Sequence, residues 1–357
     1  MKRITYISRL KHSLSLTEIE AIGKSAGINN RKEEITGILL YFNNLFFQII
    51  EGEDNAINNL FDIIKQDERH QDVLCLKSEE NVTERYFPEW EMKLVNLDGR
   101  NDELSRPVKL LLQALLDSHT IVEKYTQSSV LKIISRGLNP LNTAPKQIER
   151  VILFGDIFSY TYMSEELNVE DVFLVINTYF EICTRIITEK GGEVNKYIGD
   201  GLMAYFDINN ADGAIEACVE ILDELHELRK NSTQSSPLKL LYSGFGMAQG
   251  KVLEGNMGSD IKMDYTIIGD AVNRASRLEG HTRVVEKALV IAEDVKNNCK
   301  KEWDFLRLGQ FFLKGNKGHT AVYTVNTLPA SHFNDSDQLT QRINNLVELR
   351  YHKKKSV

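Results

Sequence analysis

Val151-Ile-Leu-Phe-Gly-Asp-Ile157 and Lys196-Tyr-Ile-Gly-Asp-Gly201 each carry an aspartate, Asp156 and Asp200, at the end of an apolar run and beside a glycine. Both runs read as buried strands that end in a turn. A carboxylate at the end of a buried strand is costly unless a cation meets it. Two of them from adjacent strands are the hard oxygen ligands that a pair of magnesium ions on a nucleoside triphosphate requires. Either aspartate alone reads better as a helix N-cap or a turn residue. The segment Asp264-Tyr-Thr-Ile-Ile-Gly-Asp-Ala-Val-Asn-Arg-Ala-Ser-Arg-Leu-Glu279 shifts that balance. Asn273 and Arg277 lie four apart on a predicted helix, so both project from one face. An amide and a guanidinium placed in this way can position a ribose and meet the charge that grows on a phosphate in a transition state.

Outward from these motifs, the patterning predicts a strand over 151–157, a helix over 169–189 and a hairpin of 194–198 with 202–206. A helix over 211–228, two strands within 238–258, a helix over 270–281 and strands near 288–291 and 321–326 complete an α+β domain. Gly244-Phe-Gly246-Met-Ala-Gln-Gly250 lacks the spacing of a nucleotide-binding glycine loop and reads as strand glycines in an extended β-tongue. Residues 1–97 predict β-α-β-β-α-β with one further strand, a ferredoxin-like order. There, Ser15-Leu-Thr-Glu18 is a capping-box pattern, and Phe42-Asn-Asn44 suits a hairpin turn. Residues 98–147 form a helical connector whose apolar stripe includes Val108, Leu111, Leu112, Leu115 and Leu116, ended by Gly137, Pro140 and Pro145. Such a stripe can bury itself on either domain or against a copy of itself. Residues 327–357 are a tail with a helix over about 338–350.

A chain of 357 residues with 42% hydrophobic and 26% charged residues has the composition of an ordinary globular protein of about two domains. Its net charge of -8 argues against a nucleic-acid binder. No apolar run approaches the roughly 20 residues needed to cross a bilayer, so no membrane association is expected. Cys75, Cys183, Cys218 and Cys299 are scattered without a C-x-x-C pair, which points to a reducing, cytoplasmic setting and no zinc site.

Phe154-Gly-Asp-Ile157, Glu193-Val-Asn-Lys-Tyr-Ile-Gly-Asp200 and Thr266-Ile-Ile-Gly-Asp-Ala-Val-Asn-Arg-Ala-Ser-Arg277 together resemble the class III nucleotidyl cyclases across residues 148–326. The resemblance implies a ferredoxin-like core in which Asp156, the Ile157 carbonyl and Asp200 bind two Mg2+ (or Mn2+) ions. It implies that Lys196 and Thr266 read the base, and that Asn273 and Arg277 act on ribose and phosphate. It also implies a head-to-tail homodimer with each active site shared between chains. Lys196 is a pure donor suited to adenine N1, and the Thr266 hydroxyl can accept from N6, so ATP is expected over GTP. Two departures stand out: Gly155 precedes the first aspartate where Ser, Ala or Thr is common, and Arg274 occupies a usually apolar position, where solvent or a partner is its expected neighbour.

In Leu45-Phe-Phe-Gln-Ile-Ile-Glu51 a glutamine interrupts an apolar strand, and a buried primary amide needs partners. Tyr6 on the first strand has a suitable hydroxyl; a plain core hydrogen bond accounts for the pair. The wider set resembles the BLUF domain, a flavin-binding blue-light sensor: Tyr6, Asn29-Asn30, Thr36-Gly-Ile-Leu39, Gln48, Glu51-Gly-Glu53, Asp67-Glu-Arg-His70 and Trp90-Glu-Met92. By that resemblance Tyr6 donates an electron and proton to excited flavin, and Gln48 rearranges its amide. Asn30 holds the ring edge, and Asp67, Arg69 or His70 approach the ribityl and phosphate end. Trp90 and Met92 lie where a changed Gln48 bond is first felt. FMN and FAD both remain open as the flavin. The two halves together resemble a photoactivated adenylyl cyclase of bacterial type; a guanylyl cyclase and a light-switched binding module without activity are the rival readings.

Overall fold

In a computed structural model, residues 1–89, 92–98, 102–259, 261–312 and 319–351 are described. Contacts divide the chain into two units, Met1–Thr143 and Ala144–Val357.

The first unit is built from β1 (Lys2–Leu10), α1 (Leu16–Lys32), β2 (Thr36–Phe42), β3 (Leu45–Gly52), α2 (Asp54–Gln66), β4 (His70–Glu79), β5 (Lys93–Asn96), α3 (Ser105–Tyr125) and α4 (Ser128–Ile134). Its sheet order is β4-β1-β3-β2-β5, a ferredoxin-like antiparallel core with β5 added parallel to β2. The Ser15/Glu18 capping box starts α1 as its sequence predicts. Asn43 and Asn44 both take positive φ (47° and 63°), the pair that a two-residue hairpin turn between β2 and β3 requires. One sheet face packs Tyr6, Ile50 and Cys75 against Ile57 and Phe61 of α2. The other carries Ile7, Leu45 and Leu74, and Leu112 and Leu116 of α3 cover them. Val108, Leu112 and Leu116 of the connector stripe are thus spent on this sheet, while Leu110, Leu111 and Ile121 stay exposed.

The second unit contains β6 (Lys146–Ile157), α5 (Tyr160–Glu166), α6 (Val169–Glu189), β7 (Glu193–Ile198), β8 (Gly201–Asp207), α7 (Ala211–Asn231), β9 (Ser243–Gly258), β10 (Met263–Ile268), α8 (Asp270–His281), β11 (Leu289–Ala292), α9 (Glu293–Asn298), β12 (Phe305–Phe312), β13 (His319–Val325) and α10 (Ser336–Tyr351). The sheet order β12-β13-β11-β9-β6-β8-β7 holds a second ferredoxin-like core in β9-β6-β8-β7, and β10 pairs with the far half of β9. The two strands expected within 238–258 are one long strand preceded by a single 3-10 turn at Pro237–Leu240. Gly244 and Gly246 are not in the tongue. They lie mid-sheet between β6 and β11, where a Cβ on Gly246 would fall 1.9 Å from the Glu279 backbone nitrogen. The missing side chain lets α8 rest directly on β9.

Candidate functional site

β6 and β8 pair antiparallel, and the turn before β8 brings Asp200 to the end of β6 that carries Asp156. The two carboxyls are close enough to interact directly: burial first, then the hydrogen bond and charge of Asp156, push Asp200 up to about 7. Gly201 keeps the approach open, since a Cβ there would stand 2.8 Å from the Gly155 carbonyl oxygen and 3.1 Å from Asp156 Oδ1. Arg283 supplies positive charge, with Nη2 at 2.9 Å from Asp156 Oδ2 and Nη1 at 2.6 Å from Glu279 Oε1. Burial, with Asp156 adding to it, moves Glu279 to about 6. Neither Arg283 nor Glu279 is found by motif reading; only their i,i+4 spacing past the Asn-x-x-x-Arg helix hints at a pair.

The end of β6 is fixed from below. Ser243 Oγ lies 2.8 Å from the Asp156 carbonyl oxygen and 2.9 Å from Tyr179 Oη. A Cβ on Gly155 would meet Phe245 Cε1 at 2.4 Å and Tyr179 Oη at 2.7 Å. Glycine before the first aspartate is therefore matched to two large buried rings behind it.

Lys196 on β7 ion-pairs with Asp264 on β10, and Thr266 Oγ1 donates to Asn195 Oδ1 at 3.1 Å. Lys196 and Thr266 are thereby brought to one place, with Asn195 and Asp264 as partners that the sequence reading missed. Asn273 is exposed and Arg277 half-buried on α8. Arg274 does not face solvent: it donates to the Gln249 carbonyl and to Asp294 at 2.5 Å each, tying α8 to β9 and α9. That internal clamp explains a cation at a usually apolar position.

Crowded, partly buried carboxylates that raise one another's pKa are the arrangement a divalent cation relieves, so Asp156 and Asp200 fit a metal pair. Among the described residues no cluster of three or more His, Cys, Asp or Glu side chains placed to hold a metal forms.

In the first unit the Tyr6 hydroxyl donates to Gln48 Oε1, across directly paired positions of β1 and β3. The Gln48 amide nitrogen reaches Met92 Sδ at 3.1 Å. Both side chains are buried, and burial drives the Tyr6 phenol far above its usual range. They line a cleft of about 190 Å³ together with Asn30, Phe46, Asp67 and His70. The cleft sets apolar walls of Ile22, Leu39, Leu60 and Ile63 against converging polar side chains, a form suited to a flat ring system with hydrogen-bonding edges. At its mouth Arg69 grips both Asp67 oxygens, and that pairing holds Asp67 at about 2. His70 Nδ1 sits 2.8 Å from Ser8 Oγ, and burial lowers its pKa. Trp90 lies outside the described residues.

Residues 1–93 match the family model for sensors of blue-light using FAD (BLUF), and residues 144–327 match the adenylate and guanylate cyclase catalytic domain. The photoactivated adenylate cyclase subunit beta of Euglena gracilis is 34% identical over 304 residues, which are 84% of this chain and 35% of that protein. Subunit alpha from the same organism is 32% identical over 296 residues, 82% of this chain and 29% of that protein. The chain thus spans about a third of the length of these relatives. The solved structure of a bacterial light-regulated adenylyl cyclase is 43% identical, with a TM-score of 0.87 over 98% of this chain and 100% of that one. Among the described residues no helix is long and apolar enough to cross a membrane. The chain belongs to the family of bacterial light-regulated adenylyl cyclases, with a BLUF domain followed by an adenylate and guanylate cyclase catalytic domain.

Proposed function

We propose that blue light absorbed by FAD in the first unit raises the conversion of ATP to 3′,5′-cyclic AMP and pyrophosphate in the second. In that reaction the ribose 3′ oxygen loses its proton and bonds to the α-phosphorus as the bond to pyrophosphate breaks. The observation that carries the reading is the meeting of Asp156 and Asp200 at the ends of β6 and β8, with Asp200 pushed to about 7. Asp156, Asp200 and the Ile157 carbonyl would hold Mg2+, which would supply charge neutralisation and a more acidic hydroxyl. Asn273 orients the ribose, and Arg277 meets the charge that develops on the α-phosphate.

Base choice follows from the hydrogen bonds around Thr266. Its proton is committed to Asn195 Oδ1, so towards a ligand the oxygen can only accept. Adenine offers an amino group there and an acceptor at N1 for Lys196. Guanine offers the opposite pair, which disfavours a GTP cyclase.

Bound flavin supplies the light absorption and the electron acceptor. Tyr6, whose phenolate is strongly disfavoured by burial, would donate an electron and proton to that group, and Gln48, bonded to Tyr6, would turn its amide in answer. Asn30 holds the ring edge, and Arg69, braced by Asp67, with His70 holds the ribityl and phosphate end. Met92, on the far side of the Gln48 amide, and Trp90 pass the change on. The working form is a head-to-tail homodimer with shared active sites, and the exposed Leu110, Leu111 and Ile121 on α3 offer it an apolar contact. Free cysteines at 75, 183, 218 and 299 suit a reducing cytoplasm.

Side-by-side turnover of magnesium-ATP and magnesium-GTP by purified protein tests the substrate, with Asp156→Asn as the blank. ATP preferred by at least about tenfold supports the reading; equal or better use of GTP overturns it. Retained signalling output by the Asp156→Asn protein would favour the binding-module alternative.

A further inference from the structure

Away from the catalytic carboxylates, the second unit holds a cleft of about 410 Å³ between α7, the 3-10 turn Ala330–His332 and α10. Arg229, Lys230, Lys239 and Arg342 line it, and none of its lining residues carries an acid, in a chain whose net charge is -8. Of the nearby acids, Glu227 pairs with the lining Lys230 at 3.3 Å and Asp223 meets His332 at 2.6 Å, which leaves Arg229, Lys239 and Arg342 as the cations of the cleft with no carboxylate partner among the described residues. Arg229 is 6% exposed; it donates to the Leu241 and Ser331 carbonyls and lies 3.8 Å from the centroid of the Tyr242 ring. Arg342 approaches the same ring at 5.9 Å, so two guanidiniums share one aromatic, and among the described residues no carboxylate lines the cleft. Burial, with the Arg342 charge adding to it, weakens the hold of Arg229 on its proton. Asn334 also faces the cleft, 5% exposed, and its Oδ1 has no hydrogen-bond partner among the described residues. Buried positive charge without a carboxylate is costly, and an anion removes that cost, while the unpaired Asn334 Oδ1 is an acceptor that a hydroxyl or amino group on the organic part of the ligand can satisfy.

We propose that this cleft binds a small phosphorylated organic anion. Cations converging from three elements favour a multiply charged phosphate over a single carboxylate. Phe333 and Tyr242 give the rest of the molecule an apolar wall, and the volume falls within the roughly 300–1,000 Å³ of small-molecule sites. The floor of the cleft touches the catalytic strand: the Tyr242 carbonyl accepts from Phe158 N at 2.9 Å, next to Ile157. The Phe158 ring lies 5.0 Å beneath Arg283, which pairs with Asp156. A ligand here would be felt at Asp156; that consequence rests on the cyclase reading, whereas binding itself does not.

The test is thermal unfolding of the full chain titrated with inorganic phosphate at constant ionic strength, without divalent cations so that Asp156 and Asp200 repel the probe. A saturable rise in melting temperature is expected. Lys239→Gln with Arg342→Gln should shift the titration to at least about tenfold higher phosphate. Because Arg342 is exposed, Arg342→Glu alone serves if the double variant does not fold. Superimposable titrations of wild type and variant, or no saturable rise in the wild type, would overturn the proposal.

Discussion

Arg283 Nη2 lies 2.9 Å from Asp156 Oδ2, joining residues 127 apart in sequence at the point where two further acids, Asp200 and Glu279, converge. One guanidinium cannot balance three acids, so the pocket favours protonation of its members or the arrival of a divalent cation.

This imbalance gives a stability prediction. The Asp200 pKa is about 7 in the folded chain and about 4 when unfolded. Its contribution to stability is therefore full below about pH 4 and is lost as pH rises through about 7. Without divalent cations, melting temperature should fall between pH 6 and 8 by about 2–4 °C, corresponding to about 1 kcal/mol after allowance for solvent screening. Asp200→Asn should abolish cyclase activity yet remove most of that decline; an unchanged decline in scanning calorimetry contradicts the argument.

Lys196→Glu should lower ATP turnover by at least about 100-fold, because adenine N1 then faces an acceptor. The single change leaves Thr266 unable to donate, since its proton stays with Asn195. Adding Asn195→Ala frees that proton for guanine O6, and GTP turnover should exceed that of the single variant. Steady-state kinetics of both proteins with both nucleotides check this.

Gly155→Ala places a methyl 2.4 Å from Phe245 Cε1, in a region where Phe245 and Tyr179 are fully buried. Overpacking of this kind costs about 1–3 kcal/mol. Urea denaturation should show the loss, and Phe245→Leu in the same chain should recover part of it.

Tyr6→Phe removes the donor to Gln48 and leaves the ring packed on Phe61. Flavin should still bind, while light should no longer alter the flavin absorption spectrum or the cyclase rate. A light response of wild-type size in this variant excludes Tyr6 as the primary donor.

Much of the fold was legible because periodicity reports burial directly. The helix expected over 169–189 is α6, and the strand–glycine–aspartate motifs are the ends of β6 and the β7–β8 hairpin. β10 escaped notice because Met263 and Asp264 are exposed and only residues 265–267 are buried, a stretch too short to mark a strand. Arg283 was illegible for a different reason: its ion pair depends on where α8 ends relative to β6, a tertiary fact. Arg274 shows the same limit, since a helical position between Asn273 and Arg277 does not reveal the Gln249 carbonyl and Asp294 waiting behind it. The connector stripe was visible, but a pattern of leucines does not say that Leu112 and Leu116 cover the sensor sheet while Leu111 stays exposed.

The central claim is that light at the flavin controls the chemistry at Asp156 and Asp200. Cyclic AMP formation from magnesium-ATP by the purified, flavin-loaded full chain, in darkness and under blue light, tests it most directly. The account predicts a rise of at least about tenfold on illumination, equivalent to about 1.4 kcal/mol of coupling. Equal rates in darkness and light would contradict it.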